Sequence, residues 1–377
     1  MLGRVVHAQH QHVQLRLCGA GTGRCRCQHS VKLRYSPRVT TCTLSGYLFD
    51  RDLYPRHHKC VDQEAGVKSP DARLTPLSGE VTPPSVAVCI PLFQKVDYVG
   101  RAIDSVLAQS HTDFELVVLD NASTDGSGAV VDAYDDPRVR VVRHTETVPM
   151  TANFNAAVAA TRAPLVKVLN ADDLVEPDAL ARQVAVMNAE PDVVVVSSRH
   201  HLVDAHDRVV ARDRTLRTPD LVGRQDRAAI VRRVVRHGGN PLGVPGNMLF
   251  RRAAFDQVGG FTDADDSFVL DVALAIRLTT VGDFYGLPET LSRFRLASGS
   301  ETGEARRAHL QAQRAFIRGL AREHADVVRR SDVARGVARW PLTWLRHQVL
   351  MSAASDPDSR GHRAAARVLD PGGVRKK

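Results

Sequence analysis

Asn170, Asp172 and Asp173 close a short apolar run, Leu165–Leu169, and Pro177 follows about one turn later. Two adjacent carboxylates at the end of a buried strand repel each other, and both cost free energy unless a positive charge sits between them. A divalent cation that also carries phosphate oxygens is a common solution. Taken alone, an acidic turn ahead of a helix is more often an N-cap, because Asp favours that place. Two other apolar runs end in polar chemistry. Phe114–Leu119 leads into Asp120-Asn121-Ala122-Ser123-Thr124-Asp125, and Val86–Ile90 leads into Pro91-Leu92-Phe93-Gln94. Brought to one edge, these ends would offer a ring at Phe93 on which a base stacks. They would also offer an acceptor at Asp120 or Asn121 for a base N–H, and acids for a ribose and, through a metal, a diphosphate. Each residue also has an ordinary explanation: Phe93 as core, Asp120 and Asn121 as caps.

The elements that must position these ends are regular from Ser85 onward. Apolar spacing predicts strands over Val86–Pro91, Phe114–Leu119, Val139–Val142, Leu165–Leu169 and Val193–Ser197. Helices are predicted over about 97–109, 126–134, 152–160 and from Pro177, at N1, to Asn188. A hairpin across Ala205–Arg208, a helix over 225–237, a strand at Met248–Phe250, a turn at Val258–Phe261 and a helix over Ser267–Thr280 follow. Strand and helix alternate with short connections, which predicts an α/β fold: a mainly parallel twisted sheet with helices on both faces. No GxxxxGK[ST] occurs, no GxGxxG follows the first strand, and there is no GxSxG elbow. P-loop, dinucleotide and hydrolase readings thereby lose their support.

The net charge of +9 is unevenly spread: residues 1–83 carry +6, 84–300 carry −5 and 301–377 carry +8. An acidic core argues against nucleic acid as partner. Residues 1–83 show no period of 2 or 3.6 and read as an irregular or disordered extension. The change of composition at Pro83-Pro84 raises the expectation that the native start lies further downstream. Cys18, Cys25, Cys27, Cys42 and Cys60 cluster there, but their spacing fits no zinc pattern, and Cys89 stands alone in a predicted strand. Neither a secretory h-region nor a run of 18 apolar residues is present, so the expected location is cytoplasmic. Past Arg295 the chain reads as helical and basic. Residues 337–351, with Trp340 and Trp344, read as a helix packed on the catalytic domain and interrupted at Pro341. Their Arg and Leu content also suits peripheral contact with the inner face of a membrane.

Residues 84–300 resemble the family-2 glycosyltransferases, inverting GT-A enzymes that use nucleotide-diphosphate sugars. The matches come in order: Val86–Gln94; Ser105-Val106-Leu107-Ala108-Gln109-Ser110; Phe114–Asp125; Asn153-Phe154-Asn155; Asn170-Ala171-Asp172-Asp173 with Pro177; and Phe250-Arg251-Arg252 through Gly259-Gly260-Phe261. Leu270-Asp271 falls where the family has an acidic pair. The resemblance implies a GT-A domain over 84–300 and a helical basic extension over 301–377. It places Pro91, Phe93, Asp120, Asn121 and Asp172 at the nucleotide sugar, and Asp172 with Asp173 at a divalent metal, Mg or Mn. Asp271 becomes the general base that deprotonates a hydroxyl acceptor, glycan or lipid-linked. Three positions depart from the pattern: Asn170 replaces the first acid of the metal motif, Leu270 replaces an acid, and Ala297 replaces a histidine. These departures keep a catalytically silent nucleotide-sugar-binding relative in play, and a nucleotidyltransferase behind it.

Overall fold

The computed structural model describes residues 29–35, 38–44, 83–262, 269–296 and 306–354. The chain divides into two units, Met1–Ser78 and Gly79–Lys377. In the first, β1 (His29–Tyr35) pairs antiparallel with β2 (Arg38–Leu44), His29 opposite Leu44. The sequence predicted no regular element there, although Val31, Leu33, Val39 and Thr41 alternate as a strand would.

The second unit is built on a ten-stranded sheet. One side of it is four parallel strands, with β5 at the edge: β3 (Val86–Leu92), β4 (Phe114–Asp120), β5 (Val139–Arg143) and β6 (Leu165–Val168). Every residue of β3, β4 and β6 is buried, as expected of parallel strands covered on both faces. Alternate side chains go to opposite layers. Val88, Ile90, Leu116 and Val118 pack with α1 (Val99–Leu107), and with α4 (Ala179–Ala189) through Leu180 and Met187. Cys89, Val117, Leu119 and Val166 pack with α3 (Met150–Ala159) and α5 (Arg227–His237). Burial pushes the Cys89 thiol up to about 12, so it serves the core as a small apolar group.

Beyond β6 the sheet turns mixed. After the two-residue β7 (Leu174–Val175), the strand β8 (Val193–Val203) runs six residues past its predicted end at Ser197 and forms the expected hairpin with β9 (Val209–Arg214). β10 (Gly223–Gln225) is an edge strand, and β11 (Leu249–Arg251) lies antiparallel between β6 and β8. The longest strand, β12 (Asp283–Arg295), lies parallel to β8 and was not predicted. Its alternation is broken around Pro288, where the pairing shifts register between Gly286 and Thr290. Pro177 is also displaced from its expected place. It lies in a turn, and α4 begins at Ala179 behind Asp178, whose Oδ1 accepts from the Ser110 hydroxyl at 2.8 Å.

The C-terminal helices Arg306–Glu323 and Arg330–Ala354 pack on α5. The second runs through Pro341 rather than stopping there. Gly336 makes the contact with α5 close: a Cβ on it would stand 2.2 Å from the Val235 carbonyl oxygen. Asp332, fully buried, accepts from Arg232 Nε at 3.1 Å, from Arg236 Nε and from the Arg329 N–H at 3.0 Å. Burial would raise this carboxyl, but those bonds hold it at about 2. Trp340 is 8% exposed and joins the core, in line with the packed-helix reading of 337–351. Among the described residues no helix is long and apolar enough to cross a membrane.

Candidate active site

Register brings the three predicted strand ends together. Leu92 of β3 lies opposite Asp120 of β4, the Asn121 N–H donates to the Leu92 carbonyl at 2.9 Å, and the Leu169 N–H donates to the Cys89 carbonyl at 2.9 Å. Carboxyl ends of a largely parallel sheet are where such folds bind ligands. The loop after β3 is clasped to the loop after β4. The Gln94 N–H donates to Ser123 Oγ at 3.1 Å, the Lys95 N–H to Ser127 Oγ at 2.9 Å, and the Val96 N–H to Asp125 Oδ2 at 2.9 Å. Burial opposes ionisation of Asp125, but the bonds from Ser127 and Val96 prevail and lower its pKa.

The five residues expected at the nucleotide behave differently. Phe93 is 43% exposed, so its ring is a free platform rather than core. Pro91 is buried inside β3 opposite Leu119, one residue short of the strand end. Asp120 is buried; Oδ1 accepts from the Ser123 N–H at 3.0 Å and Oδ2 stands 3.7 Å from Arg143 Nε. Asn121 spends its amide on one distant peptide: Nδ2 donates to the Val148 carbonyl and Oδ1 accepts from the Val148 N–H, both at 2.9 Å. Asp172 is accessible at the cleft, with Lys95 Nζ 2.8 Å from its Oδ2.

The paired acids split into two roles. Asp173 is 1% exposed; Oδ1 accepts from the Arg295 N–H at 2.9 Å and Oδ2 from Asn170 Nδ2 at 3.0 Å. Burial, and then the charge of Asp172, raises its pKa well above the ordinary carboxylate range. Of the two residues expected at a metal, Asp172 alone is presented outward, and Asn170 serves to brace Asp173. Among the described residues no group of three or more His, Cys, Asp or Glu is placed to hold a metal. Asp172 is the carboxylate here that could share a cation with a ligand's phosphate oxygens, an ordinary arrangement for Mg²⁺.

Arg295, at the end of β12, is the residue that sequence reasoning missed. Its side chain is fully buried, with Nε donating to the Asp172 carbonyl and Nη1 to the Asp204 carbonyl, both at 2.7 Å. Nη2 pairs with Asp207, and the guanidinium lies over the Tyr98 ring at 4.8 Å. One side chain thus fixes the acidic turn, the β8–β9 hairpin turn and the start of α1. The available signal was an arginine set between the apolar Phe294 and Leu296. Ala297, the third departure, lies outside the described residues, as do Ser267 and Phe268 of the predicted helix over 267–280.

Asp271 is in the first turn of α7 (Leu270–Leu278), where a helix N-terminus favours negative charge. Asn240 Nδ2 donates to Asp271 Oδ2 at 2.9 Å, and Asn240 Oδ1 accepts from the Leu242 and Gly243 N–H groups. Burial pushes this carboxyl up to about 7 against the lowering by the Val272 N–H and Asn240 bonds. The loop that starts at Asn240 ends at Asn247, and its Gly246 packs beside Leu169 and Asp173. The same loop therefore touches both acidic centres. Beneath it Lys167, fully buried, donates to Gln183 Oε1 at 2.9 Å, and burial brings its ammonium down to about 7. On the other side, Asn155 clasps the Gly-Gly-Phe turn through both atoms of its amide, to the Phe261 carbonyl at 2.8 Å and the Phe261 N–H at 2.9 Å. Gly260 is required there, with φ +67° and space for a Cβ only 2.7 Å from Asn155 Oδ1.

Residues 87–259 match the family model described as Glycosyl transferase family 2. The match takes in a little under half of the chain, the part that builds the parallel strands and their covering helices. An uncharacterised protein of Mycobacterium tuberculosis is 28% identical over 293 residues, 74% of this chain and 88% of that protein. The succinoglycan biosynthesis protein ExoU of Rhizobium meliloti is 35% identical over 181 residues, 47% of this chain and 52% of ExoU, so the chain spans about half of that relative. Among solved structures, the mannosyltransferase PcManGT of Pyrobaculum calidifontis, in complex with GDP-Man and Mn²⁺, aligns at 20% identity with a TM-score of 0.49. That alignment covers 78% of this chain and 81% of that one. The family matched by residues 87–259 is one of glycosyltransferases.

Proposed function

We propose that this protein is an inverting glycosyltransferase that moves a sugar from a nucleotide-diphosphate donor to a hydroxyl acceptor during synthesis of a surface polysaccharide or glycolipid. The observation that carries the reading is Asp271, a carboxyl brought to about 7 by burial and oriented by Asn240, on a loop shared with the acidic turn. A base with that pKa is poised for proton transfer near neutral pH. Asp271 takes the acceptor hydroxyl proton, the oxygen bonds to the anomeric carbon, and the bond to the diphosphate breaks on the opposite side. Phe93 supplies the stacking surface for the base, and Asp120 lies at the base and ribose end of the cleft. Asp172 would hold a divalent cation, which when bound would neutralise charge gathering on the leaving diphosphate. Asp173, Asn170 and Arg295 keep Asp172 in place. ExoU is a succinoglycan biosynthesis protein, and that name supports a role in polysaccharide synthesis.

Calorimetric titration of the full chain with UDP and GDP, with and without Mn²⁺, tests the donor half. One nucleotide should bind, more tightly with Mn²⁺, and Asp172→Ala should remove the metal effect. Failure of UDP, GDP and dTDP alike to bind would end the reading.

A further inference from the structure

The contact between Lys95 and Asp172 joins the loops that follow the neighbouring strands β3 and β6 at 2.8 Å, the side chains 27% and 15% exposed. Lys95 does not start from a loose segment. Its N–H is held by Ser127 Oγ at 2.9 Å, and its carbonyl accepts from the Tyr98 and Val99 N–H groups at 3.0 and 2.9 Å. The neighbouring peptides at Gln94 and Val96 are held as well. The ammonium therefore sweeps a limited arc that includes Asp172. The turn it meets carries one outward charge, because position 170 is a neutral amide and both Asp173 oxygens are already bonded. With Lys95 on it, that charge is neutralised before any ligand arrives.

A diphosphate and a divalent cation change this balance together. An ammonium and a divalent cation on one carboxylate repel each other, and an ammonium released beside a diphosphate finds new acceptors within its arc. We infer that Lys95 and the divalent cation are rival counter-ions of Asp172. Lys95 occupies the carboxylate until the cation displaces it, and the tethered ammonium then pairs with the phosphate oxygens of the donor. In the absence of metal the same ammonium supplies part of the diphosphate affinity. This rests on the donor cleft proposed above, and it makes Lys95 a second cation of the site, carried by the chain itself.

The test separates the two proposals. Mn²⁺ alone is titrated into the full chain, and free Mn²⁺ is followed by electron paramagnetic resonance, for wild type, Lys95→Met, Lys95→Arg and Asp172→Asn. Removing the rival should tighten Mn²⁺ about fivefold, the upper end for a partly exposed ion pair. Lys95→Arg should stay near wild type, and Asp172→Asn should lose the site. UDP and GDP are then titrated without metal, where Lys95→Met should weaken binding about fivefold. Lys95→Gln replaces Lys95→Met if the latter does not fold by circular dichroism. An Mn²⁺ affinity within twofold of wild type on loss of the lysine overturns the rivalry, whatever the nucleotides do. A tightened Mn²⁺ site in a chain that binds neither nucleotide upholds the rivalry and removes the donor reading instead.

Discussion

Asp271→Asn should leave a protein that is inactive and more stable. The change keeps the shape of the side chain, and the amide oxygen still accepts from Asn240 Nδ2, 2.9 Å away in the wild type. What disappears is a carboxylate whose burial raises its pKa from 3.8 to about 7. A carboxyl with a raised folded-state pKa stabilises the fold relatively below its unfolded value and loses that contribution as pH climbs through the folded value. Above pH 7 the wild type therefore carries the full cost of ionising Asp271. Three pH units correspond to an upper bound of about 4 kcal/mol. Asp271 is only half-buried by surface area, so solvent screening reduces the expected gain to about 1–2 kcal/mol. Urea denaturation of both proteins should show a difference that opens between pH 4 and pH 7 and is flat at higher pH. Transfer should fall by about 10²–10⁴ in kcat, the usual worth of a general base, while nucleotide binding holds. Equal stability of the two proteins at pH 8, or transfer within threefold of wild type, would refute the assignment.

Three further outcomes follow from the same geometry. In the wild type, kcat should drop about tenfold per pH unit below about 7, as Asp271 takes up its proton; a flat profile down to pH 5.5 would show that another group accepts the proton. Arg295→Met should destabilise by about 3–5 kcal/mol, because Asp207 and two backbone carbonyls lose a buried donor. Thermal melting checks this, and a shift below 2 °C would mean that the acidic turn holds without it. Asn155→Ala removes two bonds to the Phe261 peptide and should cost about 1–3 kcal/mol, read by urea denaturation, with amide exchange at Phe261 rising first.

The central strands were legible because burial on both faces writes them as mostly apolar runs, Glu115 and Lys167 apart, and the polar residues that end them mark the edge proposed for the ligand. β12 was not, because Gly286, Pro288 and Thr290 interrupt its alternation just where its pairing with β8 shifts register. Which of Asp172 and Asp173 faces the cleft was also hidden. Asp173 is turned inward by the N–H of Arg295, 122 positions later in the chain. The spent amide of Asn121 depends likewise on Val148, a loop residue without periodicity. Phe93 ran the other way: composition favours a core phenylalanine, but a strand that ends at Leu92 leaves the next side chain in solvent. Asp271 sits among apolar neighbours with no local mark, and only its place in the order of motifs drew attention to it.

The helix Arg330–Ala354 rests on the stretch that leads to one of the acidic centres. Trp340 lies against Gly238, where a Cβ would come within 2.9 Å of its ring, and Gln313 lies as close to Gly239. The next residue is Asn240, the partner of Asp271. Substitutions at Gln313, Gly336 or Trp340 should therefore act at a distance on Asn240 and, through it, on the proposed proton acceptor Asp271. A screen for altered acceptor choice would find productive changes in this distant helical pair, and a shortened protein ending near residue 300 would keep every cleft residue while losing the surface that sets one of them.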